Sequence, residues 1–347
     1  MKHRKKGFKH ARTRDWSDKH EDAFTHDRAR HRKADATMAA VQPMRFVPRG
    51  SFQPNAVVVS HTGQWAFVQM KGKEYLCEMD QRLGDTRSSV LAAGDDVLIE
   101  FPEGTGKPVV RAVATRRSKL SRLAHVHSRL EEQVIAANVD VLVIVASTVQ
   151  PPFRPGLVDR YLIVAEVGGV TPLLVVNKMD LAPKEPADVQ PYRELGVTVL
   201  NTSCVTAQGI ASLRAALSGK CSVVAGHSGA GKSSLINAMD PSLSIVTDEV
   251  SASTEKGRHT TTTARLYTLA ENIRIIDTPG ARSLGLWRVS PEELAYYFPE
   301  MAELANGCRF RNCTHVHEPA CAVRDAVEAG DLPRQRYASY LRIRASL

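Results

Sequence analysis

Gly226-His-Ser-Gly-Ala-Gly-Lys-Ser233 is the stretch on which the fold turns. It fits G-x-x-x-x-G-K-[ST] at every fixed position. The apolar run 222–225 precedes it, and a helix over 232–239 opens through Lys232, Ser234, Leu235 and Ile236. Strand, glycine loop and helix start are the context a phosphate cradle requires. Gly226, Gly229 and Gly231 let the backbone close around phosphate. The amides of His227, Ser228, Ala230 and their neighbours, with the helix N-terminus, then attract the anion. Lys232 is expected to reach the β- and γ-phosphates, and Ser233 to ligate Mg²⁺.

The cradle specifies a nucleotide but not its base. Upstream, Asn177-Lys178-Met179-Asp180 has the N-K-x-D spacing and ends the apolar strand 173–176, where open α/β sheets bind ligands. A carboxylate at Asp180 accepts from guanine N1–H and the exocyclic amine. Adenine lacks that donor pair and would leave the carboxylate unmatched. Asn201-Thr202-Ser203-Cys204, after another apolar run, is placed for backbone contacts to the base. Downstream, Asp277-Thr-Pro-Gly280 follows the strand 273–276. Asp277 is expected to hold Mg²⁺ through water, and the Gly280 amide to bond the γ-phosphate. Between them, Gly257-Arg-His-Thr-Thr-Thr-Thr263 stands where a first switch belongs. Thr261, in preference to Thr260 and Thr262, is the expected second Mg²⁺ ligand; the threonine run also suits a strand edge.

These parts come in an unusual order. Most GTP-binding chains begin with the cradle and end near N-K-x-D, whereas here residue 177 precedes 226 and 277. The order implies a circularly permuted GTPase domain, which is possible because the site depends on the sheet rather than on where the chain starts. Apolar strands at 139–146, 173–176, 197–200, 222–225 and 273–276 alternate with candidate helices at 156–167, 209–217 and 232–239. That pattern predicts a mainly parallel α/β sheet.

The flanks read differently. Five short strands at 56–60, 65–70, 75–79, 97–101 and 109–113, separated by glycine turns, predict a small β-barrel. An OB-fold is the natural candidate, with an SH3-like barrel as the alternative. Trp65, Phe67 and Tyr75 are candidate base-stacking rings, but alternation assigns them by preference to the barrel core. Residues 291–347 read as helical, with Ser290-Pro291-Glu292-Glu293 as a helix start. Within them, Cys308-x4-Cys313-x-His315-x5-Cys321 offers three thiolates and an imidazole, a set that suits structural Zn²⁺, with His317 as a competing ligand. Arg309, Arg311, Arg334, Arg336, Arg342 and Arg344 around it would suit RNA phosphates.

Composition narrows the classes. The 347 residues are 43% apolar and carry net charge +9, and residues 1–50 hold 14 Lys/Arg against 6 Asp/Glu, so nearly all of the excess lies there. Such asymmetry points to a polyanion, usually nucleic acid. Residues 1–45 lack apolar periodicity and read as a basic flexible tail. No apolar run approaches the ~20 residues that span a bilayer, and no apolar segment follows the basic N-terminus as in a secretory signal. Six cysteines are too few for a disulfide scaffold, and three of them fall within 14 residues. A reducing, cytoplasmic setting without membrane contact is expected.

With these residues in hand, the sequence closely resembles the ribosome small-subunit-dependent GTPase A (RsgA) family of circularly permuted GTPases. The likeness covers about 46–340, and includes Gly226–Ser234, Gly257–Thr262, Asp277–Gly280 with Leu286-Trp287, and the 308–321 loop with Glu318-Pro319. It implies a multidomain α/β protein: an OB-fold barrel at 46–116, a permuted GTPase domain at 117–290, and a C-terminal helical zinc domain at 291–347. It also implies binding to the small ribosomal subunit and its rRNA late in assembly, with GTP hydrolysis to GDP and phosphate stimulated there. The family's zinc ligands carry over to Cys308, Cys313, His315 and Cys321, leaving out His317. A monomer is expected. The long basic tail is less typical of the family.

Ala281 follows the Asp277–Gly280 motif where many GTPases have a glutamine that orients the attacking water. A methyl group cannot do this, so slow intrinsic turnover is expected. His259, beside the switch threonines, is the candidate for positioning the water, with Lys232 as the other catalytic candidate. Rival readings are an RNA-binding assembly adaptor with a structural nucleotide site, and a permuted GTPase acting on the large subunit.

Overall fold

The computed structural model describes residues 52–80, 83, 91–103, 106–126, 129–182, 184–243, 264–278, 284–286 and 289–347, with backbone alone at 123–131. The basic tail 1–45 lies outside the described residues.

Alternation of small and β-branched residues builds the N-terminal barrel. Strands β1 (Ala56–Thr62), β2 (Trp65–Met70), β3 (Lys73–Met79), β4 (Asp96–Glu100) and β5 (Val109–Val113) close in the order β1-β2-β3-β5-β4. All pairings are antiparallel except β3 with β5. This is the closed OB arrangement expected, not an SH3-like barrel. A register break between Val58 and Ser60 gives β1 the extra bend that closure needs. Ala56, Val58, Ala66, Val68, Val97 and Val110 fill the interior. The aromatic assignment is corrected in part. Phe67 alternates with fully buried Ala66 and Val68 and therefore faces outward, with half-buried Trp65 on the same side of the strand, whereas Tyr75 packs against the barrel core as expected.

A two-stranded hairpin, β6 (Lys119–Val126) and β7 (Arg129–Ala137), joins the barrel to the central sheet. The sequence reading missed it. Asn138 fastens this joint: its amide donates to Gly94 O at 3.0 Å and to Asp96 Oδ2 at 3.2 Å.

The central sheet has six strands in the order β10-β9-β8-β11-β13-β12. They are β8 (Val141–Ser147), β9 (Thr171–Asn177), β10 (Thr198–Asn201), β11 (Cys221–Gly226), β12 (Arg265–Thr268) and β13 (Arg274–Asp277). The first five named in that order, up to β13, run parallel, and β12 closes the edge antiparallel. Near-continuous apolar runs such as Val141–Val145 reflect burial on both faces. Helix α1 (Pro155–Gly168) covers one face with α2 (Gln190–Glu194); α3 (Ile210–Leu217) and α4 (Lys232–Met239) cover the other.

The C-terminal region packs α7 (Arg334–Arg344) onto α1, with α5 (Pro299–Ala305) and α6 (Ala322–Ala329) packed on each other beside it. Leu294, Phe298, Met301 and Tyr340 share one apolar cluster with Val158 and Tyr161 of α1. The expected helix start at Ser290 is also corrected. The Ser290 hydroxyl does accept from the Glu293 amide at 3.3 Å. Only a short 3-10 turn, Leu294–Tyr297, follows before Pro299 opens α5.

Candidate nucleotide site and metal centre

Parallel register brings the predicted motifs to one edge. Gly226 lies beside Val145, Val145 beside Val175, and Val175 beside Leu200. The loops after β11, β9 and β10 therefore emerge together at the carboxyl end of the sheet, where such sheets bind ligands. Asp277 ends β13, the other neighbour of β11.

The cradle is shaped by contacts that exclude side chains. At Gly226, φ is 152° and a Cβ would stand 2.1 Å from Val145 O; at Gly231, φ is 93° and a Cβ would stand 2.3 Å from Asn177 Nδ2. Lys232 Nζ donates to Gly226 O at 3.2 Å and His227 O at 2.9 Å, so the ammonium is held within the loop. It opens α4 with Ser233 and Ser234, all three half-buried. A glycine-lined backbone, a cation and a helix N-terminus together fit a polyphosphate.

The N-K-x-D loop is fastened to the cradle. Asn177 is buried, and its Nδ2 donates to Ala230 O at 3.0 Å. Its Oδ1 accepts from Thr202 Oγ1 at 3.0 Å. Asp180 is exposed, and its Oδ1 accepts from Ser203 Oγ at 2.6 Å, which leaves the carboxylate aimed but not consumed. Lys178 holds a left-handed backbone at φ 64°, strain of the kind found at functional sites. Its carbonyl accepts from Thr148 Oγ1 at 2.8 Å, and Met179 N donates to Thr202 O at 3.1 Å. Burial pushes the Cys204 thiol up, so it stays neutral beside Asn177.

Thus Asn177, Lys178, Met179, Asp180 and the whole stretch from Gly226 to Ser234 converge, with Asp277 on the adjoining strand. His259, Thr261 and Gly280 lie outside the described residues. The sequence reading missed the side-chain work of Thr202 and Ser203, having assigned that segment backbone contacts only. It also missed Arg154, whose Nη1 lies 3.1 Å from His227 Nε2 of the cradle. No motif marks Arg154; only the fold brings it there.

At the other end, one ligand atom from each of Cys308, Cys313, His315 and Cys321 lies within 4.8 Å of the others. Three soft thiols and an imidazole at this spacing fit a tetrahedral zinc ion. His317 is exposed and outside the group, whereas His315 is buried within it. Burial, then the neighbouring thiols, pushes Cys313 up to about 12, so its thiolate form is disfavoured unless a cation compensates the charge. His315 sits at φ 59° and is buried. Glu318 braces the loop, accepting from Thr314 Oγ1 at 2.5 Å and from the amides of Thr314, Val316 and His317. Burial works against that carboxylate, but these hydrogen bonds outweigh it and hold its pKa far below the usual range.

The arginine assignment is partly overturned. Arg309 and Arg311 are exposed, as RNA contact would require. Arg336 is 2% exposed and committed to internal carboxylates, and Arg344 donates to Pro291 O.

Comparison with known proteins gives one family and consistent relatives. The RsgA GTPase family model matches residues 113–287. A small ribosomal subunit biogenesis GTPase RsgA of Sodalis glossinidius is 40% identical over 308 residues, 85% of this chain and 86% of that protein. Its namesake in Christiangramia forsetii is 34% identical, covering 82% of this chain and 94% of that protein. Among solved structures, YjeQ from Thermotoga maritima aligns with TM-score 0.63 and 31% identity, over 85% of this chain and 98% of the other. YloQ, described as a circularly permuted GTPase, aligns with TM-score 0.60 and 28% identity, over 86% and 96%.

Proposed function

The chain belongs to the RsgA GTPase family and is a GTP-hydrolysing enzyme; from that premise we propose that it acts in biogenesis of the small ribosomal subunit, with hydrolysis stimulated by the subunit. The observation that carries the nucleotide reading is the bond from Asn177 to Ala230 O, which fixes the base-reading loop against the phosphate loop. Guanine is read by Asp180, steadied by Ser203, and the triphosphate is held by the cradle from Gly226 to Ser234 with Lys232 on the β- and γ-oxygens. A magnesium ion bound with the nucleotide neutralises charge on those oxygens, and Ser233 and Thr261, with Asp277 through water, are the residues assigned to hold it. Gly280 is assigned to the γ-phosphate. With Ala281 unable to orient water, His259 takes that role, and turnover without the subunit is slow. Zinc on Cys308, Cys313, His315 and Cys321 is structural, since four protein ligands leave no open position.

The division at residues 116 and 290 into barrel, GTPase domain and zinc domain is part of this reading. So are action in the cytoplasm as a monomer and contact with rRNA through the tail, the outward barrel face and the exposed Arg309 and Arg311. Among the described residues, no helix is long and apolar enough to cross a membrane.

The deciding experiment measures GTP and ATP turnover with small subunits, with large subunits and with neither. GTP turnover should rise with small subunits alone, and His259→Ala should lose most of that rise with little change in nucleotide affinity. Equal use of ATP, or equal stimulation by large subunits, would overturn the reading.

A further inference from the structure

Helix α1 adjoins the phosphate cradle directly and the metal loop through α7. At its start, Arg154 caps the helix, its carbonyl accepting from Leu157 N at 3.1 Å, while its guanidinium meets His227 of the phosphate cradle. One turn further on, buried Asp159 accepts from Arg336 Nη1 of α7 and from Tyr192 OH at 2.8 Å. Arg336 Nε donates in the other direction to Glu300 Oε1 of α5 at 2.5 Å. From the same helix, Tyr337 OH donates to His315 O at 2.6 Å and Tyr340 OH to Thr314 O at 2.8 Å. The metal loop thus hangs from α7, α7 is pinned to α1, and α1 abuts the cradle.

The pin shares one guanidinium between two carboxylates. Arg336 divides its fork between Asp159 and Glu300, one bond to each. Glu300 Oε2 is buried without a hydrogen-bond partner, and Asp159 Oδ2 has no well-formed bond, only a loose interaction with Ser339. A guanidinium can engage one carboxylate with two parallel bonds. A small slide of α7 along α1 would satisfy Asp159 fully at the expense of Glu300, or the reverse. Packed interfaces of this kind shift between discrete states rather than deforming continuously.

We propose that α1 couples the two centres: nucleotide bound in the cradle biases the Asp159–Arg336–Glu300 pin through Arg154, and the pin sets how tightly the Cys/His loop holds its metal. By reciprocity, metal in the loop changes guanine-nucleotide affinity by the same factor. This rests on the nucleotide and zinc readings above. Arg154 acts through His227 and Asp159 through Arg336, so both are proposed as positioning residues.

The test uses the full chain. Zinc affinity is measured at equilibrium against a chromophoric chelator, without nucleotide, with saturating GDP and with a non-hydrolysable GTP analogue. Affinity for fluorescent GDP is measured in zinc-loaded and zinc-stripped protein. At least one nucleotide should change zinc affinity about 5-fold or more, within the usual span of coupling between sites. Arg154→Ala and Asp159→Asn should each still bind both ligands while the mutual effect falls below about 2-fold. Arg154 is exposed, so its variant carries the test if Asp159→Asn does not fold. Wild-type protein that binds both ligands with no mutual effect overturns the coupling alone, as does full coupling in Arg154→Ala. Failure to bind guanine nucleotide or zinc at all overturns the earlier readings and the coupling with them.

Discussion

The barrel and the C-terminal helices both lean on the central sheet, and the contacts differ in kind. On the barrel side, Glu74 of β3 pairs with Arg265 of β12 at 2.9 Å, with the two side chains 37% and 38% exposed. Thr268 of the same strand reaches Gln69 of β2 at 3.1 Å, also in solvent. On the C-terminal side, Arg336 and Asp159 are 3% and 0% exposed, and Arg336 lies 4.6 Å from the Phe298 ring centroid and 5.8 Å from that of Tyr192. The first seam can exchange protein contacts for water at little cost. The second cannot open without stranding a charge. The C-terminal seam can therefore shift only between charge-paired positions of α7 on α1, whereas the barrel contacts at β12 are solvated ones.

The sharpest way to break this contrast is Arg336→Met. Removing one partner of a buried pair leaves an uncompensated charge, and a loss of about 3–5 kcal/mol is expected. Urea unfolding of the zinc-loaded chain would measure it. A loss under about 1 kcal/mol would mean that the seam is solvated after all. The complementary variant, Arg265→Ala, should cost about 0–1 kcal/mol and less still in high salt. A cost rivalling that of Arg336→Met would erase the distinction.

The same contrast separates what the sequence discloses from what it conceals. The cradle was legible because phosphate binding is done by backbone: only glycine tolerates the approach of Val145 O and Asn177 Nδ2 at Gly226 and Gly231, so the chemistry leaves a mark in residue type. The Cys/His loop was legible for a similar reason, although spacing alone left His317 beside His315. Arg336 was misread because Arg-Gln-Arg at 334–336 looks like a solvated basic face; its partners lie 36 and 177 residues away, at Glu300 and Asp159. Arg154 was invisible on the same grounds. The hairpin β6–β7 was missed because the charged run Arg129-Leu130-Glu131-Glu132-Gln133 carries no clear period of two. Strand β12 was missed because an edge strand of four residues is too short to show one.

The smallest expected effect sharpens the comparison from the barrel's inner end. There Asp95 is fully buried and paired with Arg116 at 2.7 Å, so the barrel is solvated at β12 but rooted at its covalent junction. His61 of β1 senses that root. Burial lowers its pKa below the ordinary 6.5, Asp95 pulls it up and Arg116 pushes it down again. The folded chain therefore binds fewer protons at this site than the unfolded chain. The stability that follows is complete above pH 6.5 and is lost as pH falls toward and through the folded-state value. Metal release in acid also lowers stability, so the informative quantity is the difference between wild type and His61→Gln, followed by urea unfolding from pH 7.5 down to about 5. The variant should lose less stability than wild type across that window, because glutamine binds no proton in either state. Parallel curves would mean that the imidazole is already hydrated in the folded barrel, and that the inner end is as open to water as the seam at β12.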